Sequence, residues 1–399
     1  MCIYNSNILT LKITSNEHSE YEKNIMYQKY GLCSGCLQPN TFWGWCKSCN
    51  SKRFQMSFQW TSGNKIIDEI IRESQLTARN RNEVMEWIPY DRLRNIQYLS
   101  RGGFSTIYRA IWLDGRIRSY WNNEKNQLYR RVFKLNEEDY KNERNKDIKS
   151  PLQENEKTGF PVALKRLDNS SNVNDDFLNE WRIYLKFNHS AMNNNSDSIR
   201  LYGITQDPET LDYMIVMELM NYGSLRSNLM IKKFNPYDKF NNLYLIARSL
   251  SSLHKCNLVH GDFHSGNILL QSHKYAYISD FGLSRPADKS DINGIYGGTR
   301  PKVVEGTEIE YVELMKRCWD NDPNKRPTAD DLIECFKEMR LKYYSSYDRV
   351  QVPDNELIIQ NHPLSYYTSR RFDYSTRLND LLTSGESLES CRIYAVRNK

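Results

Sequence analysis

Three residues in one short stretch carry the groups that phosphoryl transfer requires. The segment at 260–282 reads HGDFHSGNILLQSHKYAYISDFG and contains Asp262, Asn267 and Asp280. One carboxylate can orient an attacking hydroxyl or accept its proton, while an amide oxygen and a second carboxylate can hold Mg²⁺ on nucleotide phosphates. Two short apolar runs between Asn267 and Asp280 predict a β-hairpin, which would bring both metal ligands to one edge.

The composition limits the classes of protein to consider. The chain has 399 residues with 55 basic and 49 acidic side chains, a formal charge of +6. Because charges of both signs are interspersed, we expect no nucleic-acid partner. No apolar run approaches the roughly 20 residues of a membrane span, and no secretory signal is visible. We therefore expect the cytosol, with the nucleus as the alternative, and nine cysteines that are thiols or metal ligands.

Four of these cysteines form two CxxC pairs separated by nine residues: Cys33, Cys36, Cys46 and Cys49. Four thiolates at this spacing can close tetrahedrally on Zn²⁺, and metal binding would supply folding energy that so small a segment lacks. A redox pair and unligated cysteines are the alternatives. Since a closed four-cysteine site is structural, we expect a zinc-knuckle-like docking module rather than a second catalytic centre.

Two further residues extend the first set. Lys165 ends the apolar strand PVALK, and Glu180 lies on the amphipathic pattern DDFLNEWRIYL that follows it. Together with Asp262, Asn267 and Asp280, these residues resemble the set that defines the eukaryotic protein kinase domain. PVALK resembles its VAIK strand, HGDFHSGN its catalytic loop, and DFG its metal-binding triplet.

This resemblance implies an α+β fold of two lobes, β-rich at the N-terminal end and α-rich at the C-terminal end, that uses ATP and Mg²⁺. It implies that Lys165 holds phosphates and pairs with Glu180, and that Asp262 orients the substrate hydroxyl. Asn267 and Asp280 would hold Mg²⁺. The expected partner is a protein substrate or a signalling protein, and the oligomeric state stays open.

The resemblance also implies a nucleotide pocket. The segment SRGGFSTIY resembles the glycine-rich hairpin over the ATP phosphates, although Ser100 and Ser105 replace two of its glycines. The residues implied to contact the nucleotide lie on this hairpin, on the lysine strand and at the hinge between the lobes, with Met217 as gatekeeper: Gly102, Gly103, Phe104, Ile107, Ala163, Lys165, Met217, Glu218 and Met220.

Two features depart from the family pattern. Gly261 replaces the arginine of the HRD triplet, which argues against ordering by a phosphorylated activation loop. Only 43 residues separate Gly282 from Arg326, so the APE triplet and the helices after it have no counterpart. Arg326 resembles the arginine that normally pairs with the APE glutamate. Either it is exposed, it pairs with another acid such as Glu305, or a coding segment is missing.

The expected division of the chain has five parts. These are a flexible leader (1–29), the zinc-knuckle-like module (30–52), a linker with one amphipathic helix (53–88), the kinase-like domain (89–340, with a surface insertion at 114–160) and a mostly disordered tail (341–399). The closing RCW…RPT segment resembles the tyrosine-kinase-like group of kinases.

Three functions are compatible with these features. The first is a protein kinase acting on serine or threonine, which His264 favours because tyrosine kinases have alanine there. The second is a pseudokinase scaffold, favoured by the short segment before Arg326. The third is a small-molecule kinase, because HGDFHSGN also resembles the loop of aminoglycoside and choline kinases.

Overall fold

The computed structural model describes residues 19–56, 61–102, 105–122, 127–141, 147–167, 170–171, 178, 183–185, 187, 198–228, 235–282, 284–286, 303 and 306–344. The chain divides into two compact units. Unit 1 comprises Met1–Trp87 and Gly115–Arg131, and unit 2 comprises Ile88–Asp114 and Val132–Lys399. No helix among the described residues combines the length and apolar character needed to cross a membrane.

The fold is a mixture of helices and strands, as the α+β expectation required. The helices are α1 (Glu20–Tyr30), α2 (Lys47–Met56), α3 (Lys65–Thr77), α4 (Glu137–Lys141), α5 (Leu225–Asn228), α6 (Pro236–Lys255), α7 (Ile309–Cys318) and α8 (Ala329–Lys342). The strands are β1 (Glu86–Trp87), β2 (Leu93–Arg101), β3 (Ser105–Trp112), β4 (Arg116–Asn122), β5 (Gln127–Arg131), β6 (Phe133–Lys134), β7 (Thr158–Leu167), β8 (Leu201–Gln206), β9 (Tyr213–Glu218), β10 (Leu258–Val259), β11 (Ile268–Ser272), β12 (Tyr275–Ile278) and β13 (Arg285–Pro286).

The described part of unit 1 contains the cysteine module, three helices and the β4–β5 hairpin. Helix α3 is amphipathic and begins at the N-cap Asn64, whose side chain accepts from two backbone N–H groups. Its Ile67 and Ile71 are fully buried. The hydrophobic core draws on widely separated segments, because apolar side chains of the cysteine module, of the region around α3 and of the hairpin pack together: Trp45, Phe54, Ala78, Val84 and Ile117.

Three of the expected boundaries need correction. Residues 20–29 are not a flexible leader, because α1 occupies them and begins with a capping box between Ser19 and Glu22. Residues 53–88 are not a linker, since Phe54, Ala78 and Val84 belong to the unit 1 core. The insertion at 114–160 is more than a surface excursion, because its β4–β5 hairpin supplies Ile117 to that core.

Unit 2 contains an antiparallel sheet with the strand order β8-β9-β7-β3-β2, and β6 pairs with β7. Side chains alternate between the two faces of a strand. On β7, Val162 and Leu164 therefore enter the hydrophobic core, while Ala163 and Lys165 lie on the opposite face. The register places Ile107 opposite Lys165 and Ala163 opposite Met217. The sheet thus aligns several residues expected to bind nucleotide.

The helical part of unit 2 is organised around α6. Helix α8 packs along it, and α7 adds Leu314 to their shared core of Phe240, Ala247, Phe336 and Met339. A complete capping box between Thr328 and Asp331 starts α8. Helix α8 extends to Lys342, so the expected tail begins later than residue 341, and residues 345–399 lie outside the described part of the chain.

Arg326 does not sit in the helical core. It is exposed, and its Nε donates to the backbone oxygen of Asp320 at 2.8 Å. Because the Arg326 guanidinium is exposed, it needs no acidic partner, which is the first of the three alternatives raised by the sequence. Glu305 lies outside the described residues.

Candidate active site

The loop after β10 brings the expected base and one expected metal ligand into direct contact. Asn267 ends a 3₁₀ turn, Ser265–Asn267, and its Nδ2 donates to the backbone oxygen of Asp262 at 2.9 Å and to Asp262 Oδ2 at 3.0 Å. These two bonds fix the Asp262 carboxylate relative to the loop. The carboxylate stays accessible, with 22 % of the side chain exposed.

The β11–β12 hairpin then places Asp280 next to the same loop. Ile268 pairs with Ile278, as the two predicted apolar runs required. The backbone oxygen of Asn267 accepts from the N–H of Ser279 at 2.8 Å and from its hydroxyl at 3.0 Å. Since Asp280 follows Ser279, these two hydrogen bonds hold the expected ligands Asn267 and Asp280 close together.

Asp280 contacts the lysine of the sheet. Lys165 Nζ lies 3.0 Å from Asp280 Oδ1, and the lysine side chain is only 5 % exposed. The nearby ammonium of Lys165 holds the pKa of Asp280 below its usual value, against the opposing effect of burial. Asp280 also has a left-handed backbone with φ of 64°. A non-glycine residue in this region is strained, and such strain concentrates at functional sites.

The side chain after Asp280 anchors the site in an aromatic cluster. Phe281 is 1 % exposed, and its ring centroid lies 4.8 Å from that of Tyr184, 5.1 Å from Phe187 and 5.4 Å from His260. Phe281 therefore connects the loop residue His260 to the segment that carries Tyr184 and Phe187.

Two histidines support the loop. His260 is buried, its Nδ1 accepts from the backbone N–H of Asp262, and its Nε2 contacts the backbone oxygen of Ser279 at 3.0 Å. Burial lowers the pKa of His260, so the neutral ring with the proton on Nε2 satisfies both contacts. His264 Nδ1 caps the 3₁₀ turn by accepting from Gly266 and Asn267 N–H groups.

The glycine that replaces the family arginine has a backbone reason. Gly261 adopts φ of 78°, in the left-handed region that favours glycine. An arginine here would be strained in this conformation. The departure from HRD is therefore part of how this loop is built, and it leaves Asp262 and Asn267 in contact.

The nucleotide-side residues line up along the sheet and the hinge. Ala163, Met217 and Met220 are buried, and the side chain of Glu218 accepts from Gln271 Nε2 at 2.9 Å. The hinge is further tied to β11 by backbone bonds, including one from Leu270 N to Gly223 O at 2.8 Å. The structure thus connects the hinge to the strand that begins after Asn267.

Some expected residues cannot be placed. Glu180, Gly103 and Phe104 lie outside the described residues. At the base of the hairpin, the Gly102 N–H donates to the Ser105 oxygen at 2.8 Å. Sequence reasoning missed the roles of Ser279 and of the aromatic partners of Phe281, although the bulky residues in the helical pattern after Lys165 were a signal for the latter.

The four cysteines form a separate cluster in unit 1. Their sulfur atoms all lie within 4.8 Å of one another, with Cys33–Cys49 at 3.7 Å and Cys36–Cys46 at 3.5 Å. A tetrahedron with Zn–S bonds of about 2.3 Å has edges of about 3.8 Å, so the residues fit a zinc ion. Although burial opposes ionisation, backbone N–H groups of Gly35 and Cys36 lower the pKa of Cys33 to about 7.

Comparison with known proteins identifies the domain. Residues 148–302 match the family model described as protein tyrosine and serine/threonine kinase. Dual specificity protein kinase pyk3 of Dictyostelium discoideum is 24% identical over 268 residues, covering 52% of this chain and 19% of the relative. Aurora kinase of Schizosaccharomyces pombe is 31% identical over 168 residues, covering 41% and 46%.

The tyrosine-protein kinase SYK of Gallus gallus is 29% identical over 242 residues, covering 45% of this chain and 38% of the relative. The chain thus spans less than half the length of each of these relatives. The matched segment 148–302 includes Lys165, Asp262, Asn267 and Asp280. Since the family match and the relatives agree with the geometry of this site, the chain contains a eukaryotic protein kinase domain.

Proposed function

We propose that this chain transfers the γ-phosphoryl group of ATP to serine or threonine hydroxyls of proteins in signalling. The observation that carries the proposal is one continuous set of contacts, from Asp262 through Asn267 and Ser279 to Asp280 and Lys165. The set joins the groups that position a hydroxyl, a metal ion and phosphates. Phosphoryl transfer depends mainly on such positioning and on charge neutralisation.

Each residue has a distinct role in this proposal. Asp262 orients the substrate hydroxyl and accepts its proton, and the two bonds from Asn267 hold its carboxylate in place. Asn267 and Asp280 would hold Mg²⁺, which when bound neutralises phosphate charge. Lys165 holds phosphates, and its present contact with Asp280 keeps the ammonium directed to the same place. Glu180 would pair with Lys165 if the family pattern applies.

The adenine would lie against the face of the sheet that carries Ala163. Ile107 and Met217 belong to the neighbouring strands, and backbone groups between Glu218 and Met220 would bond the adenine edge. Gly102, with Gly103 and Phe104 after it, would cover the phosphates. The two serines in that hairpin leave fewer positions where the backbone can approach the phosphates closely.

A direct test measures transfer and its acceptor together. Purified chain is incubated with Mg²⁺ and γ-labelled ATP and a peptide library that presents serine, threonine and tyrosine, followed by phosphoamino-acid analysis. We expect label on serine and threonine. Asp280→Asn should abolish transfer, whereas Asp91→Asn, a matched change in the same unit, should not. Label on tyrosine alone would refute the acceptor assignment.

The scaffold function has its own supporting observation. Only 43 residues separate Gly282 from Arg326, and α7 and α8 pack directly with α6. A chain with a reduced peptide-binding region could bind nucleotide and act through unit 1 instead. Mg²⁺-dependent ATP binding without transfer to any peptide would favour this function. Transfer to a small alcohol but to no peptide would favour the small-molecule kinase.

We also propose that the four cysteines hold one structural Zn²⁺. Their sulfur separations fit a tetrahedral site, and Trp45, next to Cys46, lies in the core of unit 1. Metal binding would therefore stabilise the unit rather than take part in phosphoryl transfer. One equivalent of zinc in purified chain, lost with Cys46→Ser, is the expected result. A disulfide between two of these cysteines in purified chain would contradict it.

A further inference from the structure

Unit 1 carries a partly exposed cluster of aromatic and basic side chains that phosphoryl transfer does not use. We propose that this cluster binds single-stranded nucleic acid. It comprises Lys29, Tyr30, Phe42, Trp43 and Arg81, and we refer to it as the Trp43 face. The proposal is independent of the proposed function, because it concerns residues outside the kinase domain.

The Trp43 face combines ring–ring contacts with two contacts between a ring and a cation. Tyr30 lies 5.7 Å from Trp43 and 5.6 Å from Phe42, measured between ring centroids. Lys29 Nζ lies 5.1 Å from the centroid of Tyr30, and Arg81 Cζ lies 5.5 Å from that of Phe42. Tyr30 thus contacts both other rings, and two positive charges lie beside them, the combination by which proteins stack bases and hold the phosphates of single strands.

Two tryptophans separated by one residue have opposite environments. Trp45 is 1 % exposed, and its Nε1 donates to the backbone oxygen of Ala78. Trp43 is 62 % exposed. Gly44 between them has φ of 62°, in a tight turn between Phe42 and Trp45. A large aromatic ring at the tip of such a turn remains available to a planar ligand.

The face is held in place by hydrogen bonds beneath it. Asn40 is buried, and its Nδ2 donates to the backbone oxygen of Tyr30 at 3.2 Å. The Thr41 hydroxyl donates to the backbone oxygen of Arg79 at 2.7 Å, which fixes the segment that carries Arg81. The rings and the arginine are therefore positioned by the cysteine module, and a ligand would meet a preformed surface.

The net positive charge of the chain lies in unit 1. Residues 1–87 and 115–131 contain 15 basic and 9 acidic side chains, while the rest of the chain has 40 of each. Between Glu22 and Asp68 there are six basic side chains and no carboxylate. Even with four thiolates and one Zn²⁺, which add −2, the unit keeps a net charge of +4. The expectation of no nucleic-acid partner considered the charges of the whole chain together, which conceals this distribution.

These features favour a nucleic acid over a peptide. Flat rings beside cations suit bases and phosphates. Leu37, which follows Cys36, is 71 % exposed and would suit a protein partner. An acidic peptide is therefore the alternative that the experiment must distinguish.

The test uses the full chain with its zinc content measured. Fluorescein-labelled 12-nucleotide oligo(U), oligo(dT) and a 12-base-pair duplex are titrated by anisotropy between 50 and 200 mM NaCl. We expect both single strands to bind more tightly than the duplex, and the tighter of the two identifies RNA or DNA as the ligand. Trp43→Ala should weaken binding roughly 5- to 150-fold at unchanged zinc content, while Met56→Ala, also exposed, should not.

The charge contribution has its own matched pair. Lys29→Gln should reduce the slope of log affinity against log salt by about 0.7, the value for one phosphate contact on a single strand. Lys23→Gln, on the same helix, should leave the slope unchanged. Equal affinity of wild type and Trp43→Ala would overturn the proposal. The proposal would also be overturned if neither single-stranded oligonucleotide bound while a glutamate-rich 12-residue peptide bound in a Trp43-dependent way. That result would assign the Trp43 face to a protein partner.

Discussion

Truncation of Phe281 to alanine tests whether the aromatic cluster holds the active site together. The side chain is 1 % exposed and meets three rings at centroid distances of 4.8 to 5.4 Å. Burial of a phenylalanine and the cavity that its loss leaves are worth about 3–5 kcal/mol. Because Phe281 packs against three rings from different segments of the chain, we expect about 4 kcal/mol of destabilisation.

Phe263→Ala supplies the matched control. Phe263 belongs to the same loop and also contacts His260, at 5.8 Å, but it is 45 % exposed. Its removal should cost about 1 kcal/mol, as partly exposed positions commonly do. Urea unfolding of the full chain, followed by far-UV circular dichroism at equal protein concentration, gives both values. If the two variants differ by less than about 1 kcal/mol, Phe281 is not the anchor described above.

Three further predictions concern the metal cluster, an ion pair and pH. Chelation of zinc, or the substitution Cys46→Ser, should unfold unit 1, and we expect to see this as a loss of the fluorescence of the buried Trp45. Retained fluorescence would mean that the core of unit 1 does not depend on metal. Arg94→Gln should lower the free energy of unfolding by about 3–5 kcal/mol, because both side chains of the Arg94–Glu156 ion pair are only 12 % exposed. Arg92→Gln, which breaks an exposed ion pair, should lower it by less than about 1 kcal/mol in the same urea unfolding experiment. Burial lowers the pKa of His260 in the folded state, so the contribution of His260 to stability is complete above its pKa in the unfolded chain, about 6.5, and declines as the pH falls below that value. The difference in unfolding free energy between wild type and His260→Gln should therefore narrow from pH 7.5 to pH 5. A difference that stays constant with pH would refute this prediction.

Much of the active site could be predicted from the sequence because its parts are local. The spacing of Asn267 and Asp280 and the apolar runs between them define a hairpin, and the observed register joins them as expected. Alternation along β7 likewise places Lys165 on the face opposite the core. Local spacing and period determine these positions, so no knowledge of distant contacts was needed.

The organisation of unit 1 could not be predicted in the same way. Its core combines Phe54, Val84 and Ile117, which are far apart in the sequence. A hairpin within a polar insertion shows no strong hydrophobic period in the sequence. That it supplies a core residue follows only from its packing against segments much earlier in the chain. The prediction of a flexible leader missed α1 for a related reason, because α1 has no buried residues and hence no apolar stripe. Its capping box, from Ser19 to Glu22, was the signal available.

The contrast between Trp43 and Trp45 shows the same limit on a smaller scale. Both lie between the two CxxC pairs, and the sequence treats them alike. The turn at Gly44 and the bond from Trp45 to Ala78 separate a core residue from an exposed one. Which tryptophan is buried depends on a hydrogen-bond partner 33 residues away. The composition of the local sequence does not predict that partner.

The variant Asp262→Asn tests most directly whether Asp262 acts in phosphoryl transfer. The amide preserves the size of the side chain but cannot accept a proton, so we expect Mg²⁺–ATP affinity within about threefold of wild type. Transfer to peptide serine and threonine should fall about 10²- to 10⁴-fold, the usual contribution of a positioned base. Equal transfer rates in wild type and Asp262→Asn would contradict the account, and wild-type chain that binds Mg²⁺–ATP without transferring phosphate would establish a scaffold instead.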